Sequence, residues 1–150
     1  MPRFQFSSKI DASVESVFGF HERPDALELL TPPWQRIEVM RRSGGLEAGA
    51  EVEFRLLIGP LRLRWIARHT AYEKNRRFVD EQIEGPFRRW VHSHAFVTED
   101  GGARLTDRIE FSLPGGWMAD LLFGWLVRAQ LRRLFDYRHR ITRQSCSRAA

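Results

Sequence analysis

The sequence predicts an α+β fold in which a curved antiparallel sheet of about seven strands wraps around a long C-terminal helix, with two short helices after the first strand. Residues 35–113 contain long segments with a hydrophobic period of two, separated by turns rich in glycine and proline, as in antiparallel strands. Residues 117–143 instead have the spacing of one helix, about 40 Å long. A sheet with one charged face needs a cover on its apolar face, and this helix is the only element large enough.

The N-terminal part predicts one strand and two short helices. Residues 3–10 alternate between apolar and polar side chains, as in a half-buried strand. Ser13 is an N-cap for a helix that continues to about residue 22. Pro24 ends that helix, and a second one over residues 25–30 stops at the Pro-Pro pair that follows.

The region from residue 35 onward predicts six strands. A two-residue turn at Gly59-Pro60 pairs Phe54 with Trp65 and Leu56 with Leu63, so that the apolar faces of two strands coincide. The expected strands are Gln35–Arg41, Glu51–Ile58, Leu61–Glu73, Phe78–Glu84, Arg88–Glu99 and Ala103–Leu113.

The C-terminal helix is expected over residues 117–143, with arginines around an apolar stripe. Its first part, residues 117–127, is apolar nearly all round. Exposure of Trp117, Phe123 or Leu126 would therefore indicate a pocket lid, a dimer contact or a transient membrane contact. The stripe consists of Leu121, Val127, Leu131, Leu134, Phe135 and Ile141.

Composition predicts one soluble domain spanning residues 1–150, since 43% of the residues are apolar and 29% are charged. The only cysteine, Cys146, lies in a tail expected to fray. Because there is one cysteine, a disulfide framework and a cysteine-based metal cluster are excluded. The N-terminus lacks the apolar core of a signal peptide. The most apolar stretch has 11 residues, against the ~20 that span a bilayer. A cytoplasmic protein is therefore expected.

Polar residues on faces that should be apolar mark the candidate site. The turn near Gly101 places His92 and His94 on the same face as Asp107 of the last strand, and His69 shares the inward parity of Trp65. Two further residues, Asp80 and Gln82, stay undecided. A tight turn at residues 75–76 would bring them inward, whereas a two- or four-residue loop at residues 85–86 would send them to the opposite face.

Three local strings resemble a bacterial branch of the START/Bet v 1-like (SRPBCC) superfamily, which includes polyketide cyclases and ligand-binding proteins. They are PDALELLTPPW (residues 24–34), IGPLRLRW (58–65) and FVDEQIEGPFRRWVHSH (78–94), followed by the long terminal helix. The resemblance implies a helix-grip fold. Some relatives in this branch carry the domain fused to a sugar-epimerase-like enzyme. Because the superfamily includes carriers, receptors and enzymes, the fold does not determine the activity.

The leading hypothesis is a binder of a small hydrophobic or amphipathic molecule that is lipid-, quinone- or polyketide-like. The ligand would lie between sheet and helix with its polar end at the histidines and Asp107. No cofactor and no metal are expected, although paired histidines with a third one nearby could bind zinc. The expected ligand-binding residues are Phe54, Leu56, Trp65, His69, Trp90, His92, His94, Phe96 and Asp107.

Two alternatives stay open. A cyclase- or dehydratase-like enzyme would use His94, Asp107 and His92 as catalytic groups, because a buried histidine–aspartate pair favours the imidazolium that proton transfer needs. An interaction module would instead use the basic helix, since residues 126–150 carry seven arginines and one acid. A solvated helix face is the simpler account of those arginines. The expected partners are a small hydrophobic ligand, no nucleic acid, at most a transient membrane contact, and a second copy in a homodimer.

Overall fold

The computed structural model describes residues 2–147. Seven strands form one antiparallel sheet in the order β1-β7-β6-β5-β4-β3-β2, and a long helix follows them, which confirms the predicted fold class. None of the described helices is long and apolar enough to cross a membrane. The elements in chain order are β1 (Arg3–Ile10), α1 (Val14–His21), α2 (Ala26–Leu29), β2 (Arg36–Ser43), β3 (Glu51–Ile58), β4 (Leu61–Glu73), β5 (Arg77–Glu84), β6 (Arg89–Glu99), β7 (Gly102–Ser112) and α3 (Trp117–Cys146).

Two hairpins have the predicted register. Phe54 lies opposite Trp65 across β3 and β4. The β6–β7 turn consists of Asp100 and Gly101, both with positive φ (46° and 78°), which is the geometry of a type I′ hairpin turn. This turn sets His94 opposite Asp107, so both side chains point to the face that α3 covers.

The register of β5 settles the orientation of Asp80. A β-bulge after His69 sets that residue opposite Asp80, and on the other side Asp80 lies opposite His92. The last pair between β5 and β6 joins Glu81 to Val91, so the stretch 82–90, of odd length, separates the paired positions, instead of the two or four residues considered from the sequence. The amide of Gln82 closes this connection, because it donates to the Phe87 carbonyl at 2.7 Å and accepts from the Phe87 N–H at 3.1 Å. Asp80 faces inward, and Gln82 holds the loop.

Helix α3 buries a line of side chains that differs in part from the predicted stripe. Leu131 and Phe135 are buried as expected, but Leu121 is 73% exposed, so its place in the stripe is wrong. The reason is that the first turns of α3 extend past the covered part of the sheet. The buried line consists of Gly124, Leu131, Phe135, His139 and Thr142.

The end of α3 is also longer than predicted. The helix continues past residue 143 to Cys146, whose Sγ contacts the Ser16 carbonyl at 3.9 Å. The prediction of a frayed tail is therefore wrong as far as Cys146. Burial raises the pKa of this thiol, which disfavours the reactive thiolate. The rest of the predicted tail, residues 148–150, lies outside the described residues.

The core has two parts. One cluster joins β1, β6 and β7 to the C-terminal half of α3 through side chains such as Phe4, Phe111 and Phe135. The other lies under α1 and contains Phe18 and Phe96. A strongly twisted sheet cannot stay in contact with a straight helix along its whole length. Toward β3 and β4 the sheet therefore diverges from α3.

Candidate functional site

A cavity of about 490 Å³ lies between the sheet and α3. This volume is within the range of small-molecule sites, which are mostly apolar with a few placed polar groups. The apolar wall comes from α2, strands β2 to β4, the start of β6 with the loop before it, and the middle of α3. Its members include Leu27, Leu30, Ile37, Val52, Phe54, Leu56, Trp65, Phe87, Trp90, Val127, Leu131 and Leu134.

Aromatic side chains shape both the wall and the mouth of the cavity. Trp65 stacks on Phe54 with ring centroids 5.6 Å apart and meets Trp90 edge to face at 5.1 Å. These tryptophans line the cavity without filling it. At the mouth, Trp34 is 43% exposed and lies under the Arg133 guanidinium, which is 4.3 Å from its ring centre.

All five histidines of the chain lie in or next to this cavity. His21, His69, His92 and His94 line it, and His139 lines a small adjoining cavity of about 20 Å³. Apart from His92 and His94, their sequence positions are far apart, so only the fold brings the full set together. The side chains of Asp80, His92, His94, Asp107 and His139 form one connected group, which we call the histidine–aspartate cluster.

Asp107 is the centre of the histidine–aspartate cluster. Its Oδ1 accepts a hydrogen bond from His92 Nε2 at 2.8 Å, and its Oδ2 accepts one from His139 Nε2 at 2.6 Å. His139 Nδ1 is in turn hydrogen-bonded to the Ser8 hydroxyl at 2.6 Å. The chain of contacts thus ties β1, β6, β7 and α3 together behind the cavity. Buried carboxylates need such partners, because an unpaired buried charge is costly.

His94 lies between the two carboxylates. Its Nε2 donates to Asp80 Oδ2 at 3.0 Å. Its Nδ1 is also 3.0 Å from Asp107 Oδ1. The N–H direction at Nδ1 is poorly aligned, so Nδ1 makes no hydrogen bond, and its contact with Asp107 is electrostatic. The His94 ring stacks on Phe78 with ring centroids 3.9 Å apart, and the tilted His92 ring lies 3.7 Å away.

The charges within the histidine–aspartate cluster are set by competition between burial and pairing. Burial by itself would raise the pKa of Asp80, but the His94 hydrogen bond and the nearby imidazoles lower it to about 2. The same competition holds the pKa of Asp107 well below its usual range. Burial would lower the pKa of His94, yet the two carboxylates outweigh it and raise that pKa. Both aspartates are therefore ionised and His94 favours the imidazolium.

The other cavity-lining histidines have the opposite tendency. Burial lowers the pKa of His21 to about 4. Burial and then the His94 charge lower the pKa of His92, and burial lowers that of His69. These imidazoles are neutral at pH 7. Nδ1 of His69 is buried without a hydrogen-bond partner among the described residues, so it is open to a polar group of a ligand.

Three members of the histidine–aspartate cluster could hold a metal ion. Asp80, His92 and His94 present ligand atoms that all lie within 4.8 Å of one another. Two imidazoles and one carboxylate are a donor set that divalent iron and zinc accept. A metal would have to replace the proton of the His94–Asp80 hydrogen bond, because a ligating imidazole must be neutral. The raised pKa of His94 opposes that exchange.

The structure brings together most of the predicted ligand-binding residues. The cavity wall contains Phe54, Leu56, Trp65, His69, Trp90, His92 and His94. Asp107 lines the small adjoining cavity instead. Phe96 does not line the cavity, which corrects the prediction. The reason is that β6 carries it past the cavity to α1, where its ring lies 5.0 Å from Phe18.

Sequence reasoning missed three polar residues, of which His139 had a readable signal. It follows Phe135 by four residues and therefore shares the buried face of α3. His21 ends a short helix, and Arg138 is one arginine among many on α3. For these two no pattern in the chain distinguishes an inward side chain from an exposed one.

A seven-stranded antiparallel sheet that grips a long C-terminal helix around an apolar cavity defines the helix-grip class of proteins. The chain belongs to the family described as "Polyketide cyclase / dehydrase and lipid transport", whose model matches residues 10–135. None of the curated proteins compared with it matches.

Solved structures share this fold. TTHA0849 from Thermus thermophilus has a TM-score of 0.71 and 20% identity over 96% of both chains. Ara h 8.0201, a Bet v 1 homologue, has a TM-score of 0.68 and 14% identity over 95% of this chain and 96% of its own. The nucleoside-diphosphate sugar epimerase from Corynebacterium glutamicum has a TM-score of 0.71 and 26% identity. That match covers 94% of this chain but 28% of the epimerase.

Proposed function

We propose that the protein binds one small amphipathic molecule non-covalently, with the apolar body in the cavity and the polar end at the histidine–aspartate cluster. The observation that carries this proposal is the open volume of about 490 Å³ with an apolar wall and buried charged groups at one end. Burial of ligand surface at ~25 cal/mol per Å² would supply most of the affinity. The lipid-transport part of the family description supports the same reading.

Binding of a neutral fluorescent probe, N-phenyl-1-naphthylamine, tests the proposal. Val52 lines the cavity and is part of its wall, so Val52→Trp is expected to fill the space and to weaken probe binding by tenfold or more. Val97 is 61% exposed on β6, so Val97→Trp adds the same side chain outside the cavity and is the matched control. Equal probe affinity in both variants would contradict the proposal.

An enzyme of cyclase or dehydratase type is the second candidate. It is favoured by the position of His94, which lines the cavity, contacts two ionised carboxylates and favours the imidazolium. Such a group would donate a proton to a ligand carbonyl that takes the place of Asp80 at His94 Nε2. His94→Asn is then expected to abolish turnover of a polyketide-like substrate while ligand affinity stays within severalfold. A parallel loss of affinity and turnover would assign His94 to binding alone.

The exposed start of α3 supports a membrane contact as the route by which a lipid-like ligand enters. Large apolar side chains are exposed there, and Leu126 also lines the cavity. At 100° per residue these side chains cover an arc of about 240° around the helix, more than one partner helix would cover. The arginines that follow suit anionic headgroups, with apolar side chains at the interface. The exposed set is Trp117, Met118, Leu121, Leu122, Phe123, Trp125 and Leu126.

Sedimentation with vesicles tests the membrane contact. Trp125→Gln is expected to reduce binding to phosphatidylglycerol vesicles severalfold, whereas Val97→Gln, on the sheet, is expected to leave it unchanged. No binding to these vesicles, together with a dimer in light scattering that Trp125→Gln dissociates, would assign the surface to a homodimer instead. Binding to nucleic acid stays an expected absence, and the cytoplasmic location stays a prediction.

A further inference from the structure

Arg138 is a charged residue at the cavity that lies outside the histidine–aspartate cluster. It lies on α3 and lines both the main cavity and the small adjoining one. Its Nε donates to the Leu30 carbonyl at 3.2 Å, and its guanidinium carbon is 5.2 Å from the centre of the Phe135 ring. These two contacts hold the guanidinium in place.

The terminal nitrogens of Arg138 have no acceptor among residues 2–147. Asp107 and Asp80 attract the guanidinium from a distance, but their hydrogen bonds come from histidines. Arginine has five N–H donors, of which Arg138 uses one on the protein. Arg138 is only partly buried, so an acceptor brought by the ligand would replace water on donors that the protein leaves open.

We infer that the ligand of this cavity carries a carboxylate and that Arg138 receives it. The planar guanidinium matches a carboxylate through two parallel hydrogen bonds, which a hydroxyl or an ester does not form. The apolar wall on the other side of Arg138 would hold the hydrocarbon part. The ligand class is therefore an amphipathic carboxylic acid, and Arg138 is its specificity-determining residue. This inference rests on the proposed ligand binding and names its chemistry.

The test compares a carboxylic acid with the alcohol of the same chain length. Dodecanoic acid and dodecanol displace bound N-phenyl-1-naphthylamine at about pH 8, where the acid is ionised, and the ratio of their affinities is the readout. The wild-type protein is expected to prefer the acid by at least about tenfold, the size of a charge-assisted hydrogen bond. Arg138→Met is expected to bring the ratio close to one while the affinity for the alcohol changes by less than about threefold.

Arg132→Met is the matched control, because Arg132 lies on the same helix and is exposed. It removes the same charge outside the cavity and is expected to keep the preference for the acid. Circular dichroism and binding of the probe itself show that each variant is folded. Equal affinities for acid and alcohol in the wild-type protein would overturn the inference while leaving the proposed function intact, and so would an unchanged ratio in Arg138→Met. Failure of the probe and both ligands to bind would overturn both.

Discussion

Replacement of Asp107 by asparagine is the perturbation that tests the histidine–aspartate cluster most directly. Asp107 is 3% exposed and accepts hydrogen bonds from His92 and His139 at 2.8 and 2.6 Å. Asparagine keeps the shape but removes the charge and turns an N–H group toward an imidazole donor. Breaking one side of a buried charged network costs about 3–5 kcal/mol. We expect Asp107→Asn to lower the free energy of unfolding by this amount, measured by urea denaturation at pH 7.

The pH dependence of this loss has a definite sign. Asp107 helps to raise the pKa of His94, and a raised histidine pKa contributes stability that is present below about pH 6.5 and is lost as the pH rises through the folded value. The difference between wild type and Asp107→Asn is therefore expected to be larger at pH 5.5 than at pH 9. Asp136→Asn is the control, because that acid is exposed and 3.8 Å from Arg140. Its effect is expected to be below about 0.5 kcal/mol.

Two results would refute this reasoning. A loss below about 1 kcal/mol at pH 7 would mean that the cluster is not a tightly coupled buried network. A difference that grows from pH 5.5 to pH 9 would mean that Asp107 does not stabilise an imidazolium. Either result would also remove the argument for His94 as a proton donor.

Three further predictions concern His21, Ser8 and Gly102. His21 is neutral in the folded protein down to about pH 4, so protonation of the unfolded chain is expected to lower stability by roughly 3 kcal/mol between pH 7 and 4. His21→Gln is expected to remove most of this pH dependence of the free energy of unfolding in urea denaturation. An equally steep pH dependence in the variant would contradict the conclusion that folded His21 is neutral down to about pH 4. Ser8→Ala leaves His139 without its second hydrogen bond and is expected to cost about 1–3 kcal/mol, whereas no loss would mean that water replaces the hydroxyl. Gly102→Ala places a Cβ 2.5 Å from a β1 carbonyl oxygen and is expected to lower the free energy of unfolding by about 1–3 kcal/mol. Gly19→Ala adds a Cβ in open space within α1 and is expected to raise it by about 0.5–1 kcal/mol. Equal melting temperatures for these two variants would contradict the packing of β1 against β7.

Periodicity was sufficient for the sheet where the turns are tight. The β3–β4 and β6–β7 registers follow from two-residue turns, because the strand period of two then fixes which side chains share a face. The same reasoning could not place Asp80. A bulge after His69 and a wide loop closed by Gln82 each change the count of residues by an amount that the local sequence does not reveal.

For helix α3 too, the local sequence pattern predicts only some of the buried residues. Spacing predicts Leu131 and Phe135 as buried, but it does not tell where the sheet stops covering the helix, and Leu121 was misplaced for that reason. Arg138 and its exposed neighbours are the same residue type, and only the folded chain brings the Leu30 carbonyl, just after α2, to Arg138 at the cavity.

The sequence by itself determined the order of the elements, the inward face of most strands and the family resemblance, because these depend on patterns between near neighbours in the chain. Only the tertiary structure decided that a cavity stays open, that five histidines meet there and that one arginine among many faces inward. Those outcomes depend on the twist of the sheet relative to a straight helix. They also depend on contacts between residues more than a hundred positions apart, such as Ser8 and His139, and no local sequence pattern predicts such contacts.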